Sequence, residues 1–116
     1  MKTSTGFAPG GATHDDLRLM RANTGRDLIV KVEGTYHGHH DSLMFSVVPD
    51  PERIGPREHP VTVPQAMGLP QAFADLVRVV PFNDLDEARR AFEENQGRVA
   101  GMIVEPSCTE RATWAT

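Results

Sequence analysis

Residues 34–41 hold the densest group of chemically useful side chains in the sequence. Tyr36 is followed there by three histidines and an aspartate, with glycines among them: His37, His39, His40 and Asp41, with Gly34 and Gly38. Imidazole and carboxylate groups can bind a metal or relay a proton. A tyrosine between glycines can instead hold an aromatic ring against a flat ligand. The surrounding elements have to decide among these three kinds of site.

A metal site would use His37, His39 and Asp41. Side chains two residues apart point the same way in an extended segment, so these three residues could face one ion. Their spacing matches none of the well-attested zinc patterns, however. We therefore predict no metal site, and we expect the histidines to bond to nearby groups of the loop.

Nucleophilic catalysis has less support in the sequence. Ser42 and Cys108 are present, but no residue is placed as a base beside either one, and neither lies in a nucleophile elbow. The acidic residues of positions 84–94 suit the solvated face of a helix. Glu105 follows an apolar run, and it is either a carboxylate bonded to backbone or a functional group.

The elements around residues 34–41 predict an α/β fold. A helix is predicted from Thr13, a suitable cap, to a stop signal at Gly25, with Leu17 and Met20 on its apolar side. The apolar run at 28–33 predicts a strand buried on both faces, as in a parallel sheet. The histidine-rich residues come just beyond the carboxyl end of this strand, where α/β sheets bind ligands.

The second half of the sequence predicts a βαβ unit. Residues 49–70 contain six prolines and no helical or alternating period, which indicates a lid-like loop or a segment whose packing partner is missing. A strand, a helix and another strand follow. Asp84 and Glu87 form a predicted capping box at the start of the helix. Its predicted apolar stripe consists of Leu85, Ala88 and Phe92.

Length and composition limit the classes of function. The chain has 116 residues, enough for one small domain. Its 12 basic and 16 acidic residues give a net charge of -4, which argues against nucleic acid as a partner. A single cysteine, Cys108, excludes an internal disulfide and fits a reducing compartment. The start lacks the apolar segment of a signal peptide, and no apolar run approaches the roughly 20 residues of a membrane span. We therefore expect a cytoplasmic protein with no membrane partner.

Three segments carry a recognisable pattern: "LRLMRANTGRDLIVKVEGTYHGHHDSLM" from Leu17, "PFNDLDEA" from Pro81 and "IVEP" from Ile103. Together they resemble the class III pyridoxal-phosphate-dependent aminotransferases, and within them most closely the glutamate-1-semialdehyde aminomutases. The resemblance covers residues 12–106, with the segments in the same order and at similar separations. It implies the large domain of a fold-type-I pyridoxal-phosphate enzyme, a mostly parallel sheet with flanking helices, of which this chain would be an internal fragment.

The resemblance also implies roles around a bound pyridoxal 5′-phosphate. Tyr36 would lie against the pyridine ring of the cofactor, with His37 beside it as a polar contact. Glu105 would be a carboxylate near the cofactor, and Gly10 and Gly11 would supply backbone amides to its phosphate. The family acts on small-molecule amino acids or oxo acids by amino transfer or by exchange of amino and oxo groups, and its members are homodimers.

The chain also departs from the family pattern. Ala8, Gly10 and Gly11 stand where the family's phosphate site has a serine, a threonine and a glutamate. Lys2 and Lys31 are the lysines of the sequence, and neither matches the Schiff-base lysine. The aspartate that pairs with the pyridine nitrogen lies beyond "IVEP" in the family. Activity of this chain alone is therefore not expected, and the alternative is a non-catalytic binding or interaction module derived from such an enzyme. The predicted organisation is an irregular start at 1–11, a partial cofactor-binding domain at 12–106 and an irregular tail at 107–116.

Overall fold

The computed structural model describes residues 14–37 and 41–104. Its elements are, in chain order, α1 (His14–Thr24), β1 (Leu28–Val32), α2 (Gln71–Ala74), β2 (Val77–Val80), α3 (Leu85–Glu94) and β3 (Val99–Ile103). The predicted order of helices and strands is confirmed, and α2 is an additional single turn that the sequence pattern did not indicate. α1 ends as predicted at Gly25, whose φ is 67° and whose N–H donates to Arg21 O at 2.8 Å. The predicted cap, Thr13, lies outside the described residues.

The three strands form one parallel sheet in the order β2-β1-β3. β1 is the central strand, and its residue Ile29 is paired with Val77 on one side and with Gly101 on the other. The pairing with β3 shifts register between Leu28 and Ile29. Because all three strands run the same way, their carboxyl ends lie at one edge of the sheet. The predicted α/β class with a parallel sheet is confirmed.

Helices cover both faces of this sheet. The core on the α1 face contains Leu17, Met20, Ile29, Leu43 and Ile103. The core on the α3 face contains Leu28, Val30, Val32, Val80, Ala91 and Val99. Successive side chains of β1 point to opposite faces, so they enter the two cores alternately. This arrangement explains why every residue of β1 is buried, as the sequence predicted.

α3 begins as predicted but buries a different side. The side chain of Asp84 caps the helix by accepting the N–H of Glu87 at 3.0 Å. The predicted apolar stripe is wrong at two of its three residues, because Leu85 is 82% exposed and Phe92 is 40% exposed. Ala91 is instead fully buried against the sheet. A small residue at the contact lets a helix lie close to the β-branched side chains of the strands.

Residues 49–70 contain no helix or strand, but they are packed against the rest of the chain. Ile54 is 5% exposed. The hydroxyl of Thr62 donates to Val77 O of β2 at 3.0 Å. Arg57 Nη2 lies 3.0 Å from Asp84 Oδ2, which joins this segment to the start of α3. The segment therefore has defined contacts at both β2 and α3.

Candidate functional site

The candidate site begins where β1 ends, at the carboxyl edge of the sheet. The N–H of Glu33 donates to Val80 O at 2.8 Å, which extends the contact with β2 past the last residue of the strand. Gly34 has a φ of 81° and donates its N–H to Ser46 O at 2.8 Å. A side chain would be strained at this φ, so glycine suits the turn. The turn sets the direction in which residues 35–37 leave the strand.

Tyr36 is exposed between two buried neighbours. As a whole residue Tyr36 is 40% exposed, whereas Thr35 is 1% exposed and His37 is 5% exposed. The Thr35 hydroxyl donates to Val32 O at 2.6 Å and lies 3.0 Å from His37 Nε2. A hydroxyl has one proton, so Thr35 accepts from His37, and the Nε2 of His37 carries a hydrogen. His37 thus bonds to a nearby group of the loop, as predicted.

A fully buried lysine joins this loop to a later part of the chain. Lys31 has no exposed surface, and its Nζ donates to Thr35 O at 3.0 Å, Phe45 O at 2.6 Å and Ser46 O at 3.3 Å. An ammonium group is a donor with three N–H bonds and no acceptor, so backbone carbonyl oxygens are suitable partners for it inside the protein. The sequence places Lys31 within a strand and indicates nothing more about it. Its partners could not be found by any periodic pattern, because they come from two separate segments.

The segment after the histidine-rich residues has its own backbone bonds. Ser46 is fully buried with a φ of 52°. Its N–H donates to Val63 O at 2.7 Å, and its Oγ accepts the N–H of Val63 at 3.0 Å. Ser46 O in turn accepts from Gly34 and from Lys31. The backbone at 45–46 is therefore connected both to residues 33–35 and to the proline-rich segment.

The predicted site residues differ in what the structure says of them. Tyr36 and His37 lie just past the carboxyl end of β1, where they were predicted. Gly10, Gly11 and Glu105 lie outside the described residues, as do His39 and His40. Among residues 14–37 and 41–104, no three His, Cys, Asp or Glu side chains are grouped so as to hold a metal ion.

Comparison with known proteins places this geometry among relatives, although no family model matches the chain. Glutamate-1-semialdehyde 2,1-aminomutase 1 from Staphylococcus carnosus is 45% identical over 95 residues, which cover 82% of this chain and 20% of that protein. The aminomutase from Aeropyrum pernix is 42% identical over 95 residues, with the same coverage of both chains. The chain is related to the glutamate-1-semialdehyde 2,1-aminomutases. The predicted resemblance is therefore confirmed, and the chain spans about a fifth of the length of these aminomutases.

Solved transaminase structures share the fold of this aminomutase-related chain. An omega-transaminase from Sphaerobacter thermophilus superposes with a TM-score of 0.74 and 35% identity, over 81% of this chain and 21% of that one. A transaminase with PLP bound superposes with a TM-score of 0.68 over 80% of this chain and 20% of that one. At 22% identity, this second likeness concerns the fold alone. Both support the predicted fold, that of pyridoxal-phosphate-dependent transferases. Within the described part of the chain, no helix is long and apolar enough to cross a membrane.

Proposed function

We propose that this chain is part of the cofactor-binding domain of an aminotransferase- or aminomutase-type enzyme, with Tyr36 against the pyridine ring of pyridoxal 5′-phosphate. The observation that carries the proposal is the exposure of Tyr36 between two buried, hydrogen-bonded neighbours. A ring whose backbone is already fixed loses little freedom when a flat heterocycle stacks on it. The carboxyl edge of a parallel sheet is also where α/β folds bind their ligands.

The described residues fit the ring of the cofactor but not its covalent attachment. Tyr36 offers an aromatic face at the end of β1. Lys31 has no exposed atom and its ammonium group is bonded to three carbonyls, so it does not supply the amine that would bind the aldehyde. Gly10 and Gly11 remain the proposed source of amides for the phosphate, and Glu105 the proposed carboxylate near the cofactor.

The described residues of this chain would hold and orient the cofactor ring. When bound, pyridoxal phosphate withdraws electrons from the carbon that carries the amino group of the substrate. Tyr36 would fix the tilt of the cofactor ring and keep water from one of its faces. His37 would hold the loop through its bond to Thr35 and lie beside the ring as a polar contact.

For the whole protein, the proposed reaction is amino transfer, or exchange of amino and oxo groups, on a small amino acid or oxo acid. A homodimer is proposed from the family resemblance. A cytoplasmic location is proposed from the single cysteine and from the likeness to the aminomutases.

The experiment uses pyridoxine 5′-phosphate, which has a hydroxymethyl group in place of the aldehyde and so cannot react with lysine. Its affinity for the full chain is measured by calorimetric titration. Tyr36→Ala should weaken binding about fivefold, because an aromatic pair contributes about 1 kcal/mol beyond its buried area.

The matched control is Phe92→Ala, since Phe92 on α3 is also a 40% exposed aromatic residue. Its loss should leave the affinity unchanged. Equal affinities for the unsubstituted chain and Tyr36→Ala would overturn the assignment of Tyr36. A weakening as large in Phe92→Ala would show that the effect is not specific to the site.

A further inference from the structure

We infer that Lys31 is a positioning residue for Tyr36, and that its buried ammonium group holds the Tyr36 loop against the segment at 45–46. The use of Tyr36 as a cofactor-stacking residue rests on the proposed function. The link between Lys31 and the loop rests on the geometry of this chain alone.

The bonds of Lys31 end on the residue next to Tyr36. Thr35 O accepts from Nζ at 3.0 Å, and Thr35 also bonds through its hydroxyl to Val32 and His37. Two residues of β1 therefore hold the backbone just before Tyr36: Lys31 through its side chain and Val32 through its carbonyl oxygen. The backbone at Tyr36 is thus fixed while the residue itself stays 40% exposed.

The other two bonds of Lys31 reach a separate part of the chain. Phe45 O and Ser46 O lie 2.6 and 3.3 Å from Nζ. Phe45 is fully buried in a core with Ala74, Val77 and Val79, so these carbonyls belong to a well-packed support. Lys31 thus ties the Tyr36 loop to the α2 and β2 side of the sheet.

Strand pairing does not depend on the ammonium group. The backbone of Lys31 pairs with Val79 and Ile103, whichever side chain it carries. A neutral side chain of similar length would fill the volume but leave the carbonyls of Thr35 and Phe45 without that donor. Buried carbonyls that lose their donor turn toward water, so the loop should loosen while the sheet remains.

Tyr36 is the single tyrosine of the chain, which allows a direct measurement. Biosynthetic 3-fluorotyrosine gives one fluorine NMR signal, whose change between water and heavy water reports ring exposure. In Lys31→Met, this change should rise above its value in the unsubstituted chain, in which Tyr36 is 40% exposed, toward that of free fluorotyrosine. Far-UV circular dichroism should stay that of the unsubstituted chain. Lys2→Met, the same substitution at the other lysine, should alter neither signal.

Chemical rescue separates the charge from the packing of the side chain. Lys31→Cys is made with Cys108→Ser, unfolded, alkylated with 2-bromoethylamine and refolded, which restores an ammonium group at nearly the original distance. The control is alkylated with 2-bromoethanol, which places a hydroxyl at the same distance. The aminoethyl product should recover the fluorine signal of the unsubstituted chain, and the hydroxyethyl product, which offers one donor and no charge, should recover only part of it.

Two results would overturn the inference. One is equal fluorine signals from the two alkylated chains, because the ammonium group would then be unnecessary. The other is loss of the circular dichroism signal in Lys31→Met, because Lys31 would then support the whole sheet and not the loop. These measurements need no cofactor, so they stand apart from the pyridoxine 5′-phosphate titration. Failure of that titration with success here would remove the proposed function and keep the role of Lys31.

Discussion

The contact between α1 and β3 allows one substitution to be predicted in both sign and size. Gly101 lies in the middle of β3, opposite Ile29. A Cβ added there would overlap the terminal methyl of Met20, while the Met20 Sδ and Cγ would lie at 3.7 and 3.9 Å, which is ordinary contact. Met20 is 2% exposed, so its methyl group can move only within the core. Gly101→Ala therefore overpacks a single point of the α1 face.

The expected cost follows from two opposing terms. Overpacking a core by a methyl group costs about 1–3 kcal/mol. Replacing a strand glycine by alanine returns about 0.5–1 kcal/mol, because alanine loses less conformational freedom on folding. The net effect of Gly101→Ala should be a loss of up to about 2.5 kcal/mol in the free energy of unfolding.

The same change should have the opposite sign once Met20 is shortened. Met20→Ala alone should cost about 2–5 kcal/mol, because it leaves a cavity beneath β3. Gly101→Ala then places its methyl group in that cavity without overlap, so it should stabilise this background by about 0.5–1 kcal/mol. The two substitutions should thus be coupled by about 1–3 kcal/mol.

Urea denaturation followed by circular dichroism on the four chains measures this coupling. Gly97→Ala is the control, because Gly97 has a φ of 83° and an added Cβ there would meet nothing within 4 Å. Its cost should be backbone strain alone and equal in both Met20 backgrounds. If Gly101→Ala destabilises both backgrounds by the same amount, the packing of α1 on β3 described above is wrong.

Three further outcomes are expected. The hydrogen bond from the Glu87 N–H holds the pKa of the Asp84 carboxyl below its ordinary value. Partial burial opposes this effect, and Arg57 adds to it. Because the ionised carboxylate stabilises the fold, Asp84→Asn should lower Tm by a few degrees at pH 7. A carboxyl with a depressed pKa contributes its full stabilisation above the pKa of the unfolded chain and loses it as pH falls through the lower folded pKa. The difference in Tm should therefore begin to shrink near pH 4 and disappear only at lower pH, with Asp86→Asn as the exposed control; a difference as large at pH 2 as at pH 7 would contradict this. Treatment with pyridoxal phosphate and then borohydride should leave Lys31 unmodified, as judged by mass spectrometry of tryptic peptides. The chain should also transfer amino groups no faster than free pyridoxal phosphate does. Amino-group turnover together with cofactor reduced onto Lys31 would refute this expectation. Sedimentation should show self-association, because β2 and β3 pair only with β1 among the described residues, whereas a monodisperse monomer would argue against it.

The sequence was sufficient to predict the strand, the helix start and the loop position that are set by residues close together in the chain. The unbroken apolar run of β1 indicated a strand buried on both faces, and the structure places α1 and α3 there. Asp84 followed by Glu87 indicated the start of α3 because a cap needs only neighbours in the chain. Tyr36 was placed at the carboxyl edge of the sheet by counting from the end of that strand.

Features that depend on distant residues were not predictable in the same way. Leu85 continues a helical period with Ala88, but the side of α3 that is buried is decided by the strands beneath it, which select Ala91. Lys31 looked like an ordinary strand residue because its carbonyl partners at 45–46 carry no side-chain signature. Every residue type has a backbone carbonyl, so no sequence motif indicates which carbonyls will accept from Lys31.

The order of the strands has a consequence for synthesis on the ribosome. β1 is the central strand of the described sheet, and it is translated before β2 and β3. One edge of β1 can pair with β2 only after residue 80 has been made. The other edge can pair with β3 only after residues 99–103 have been made. During that interval the growing polypeptide carries an apolar strand with an open edge, which other nascent strands can join. A pause in translation before β3 is complete would therefore prolong the exposure of this edge of β1 and increase its need for a chaperone.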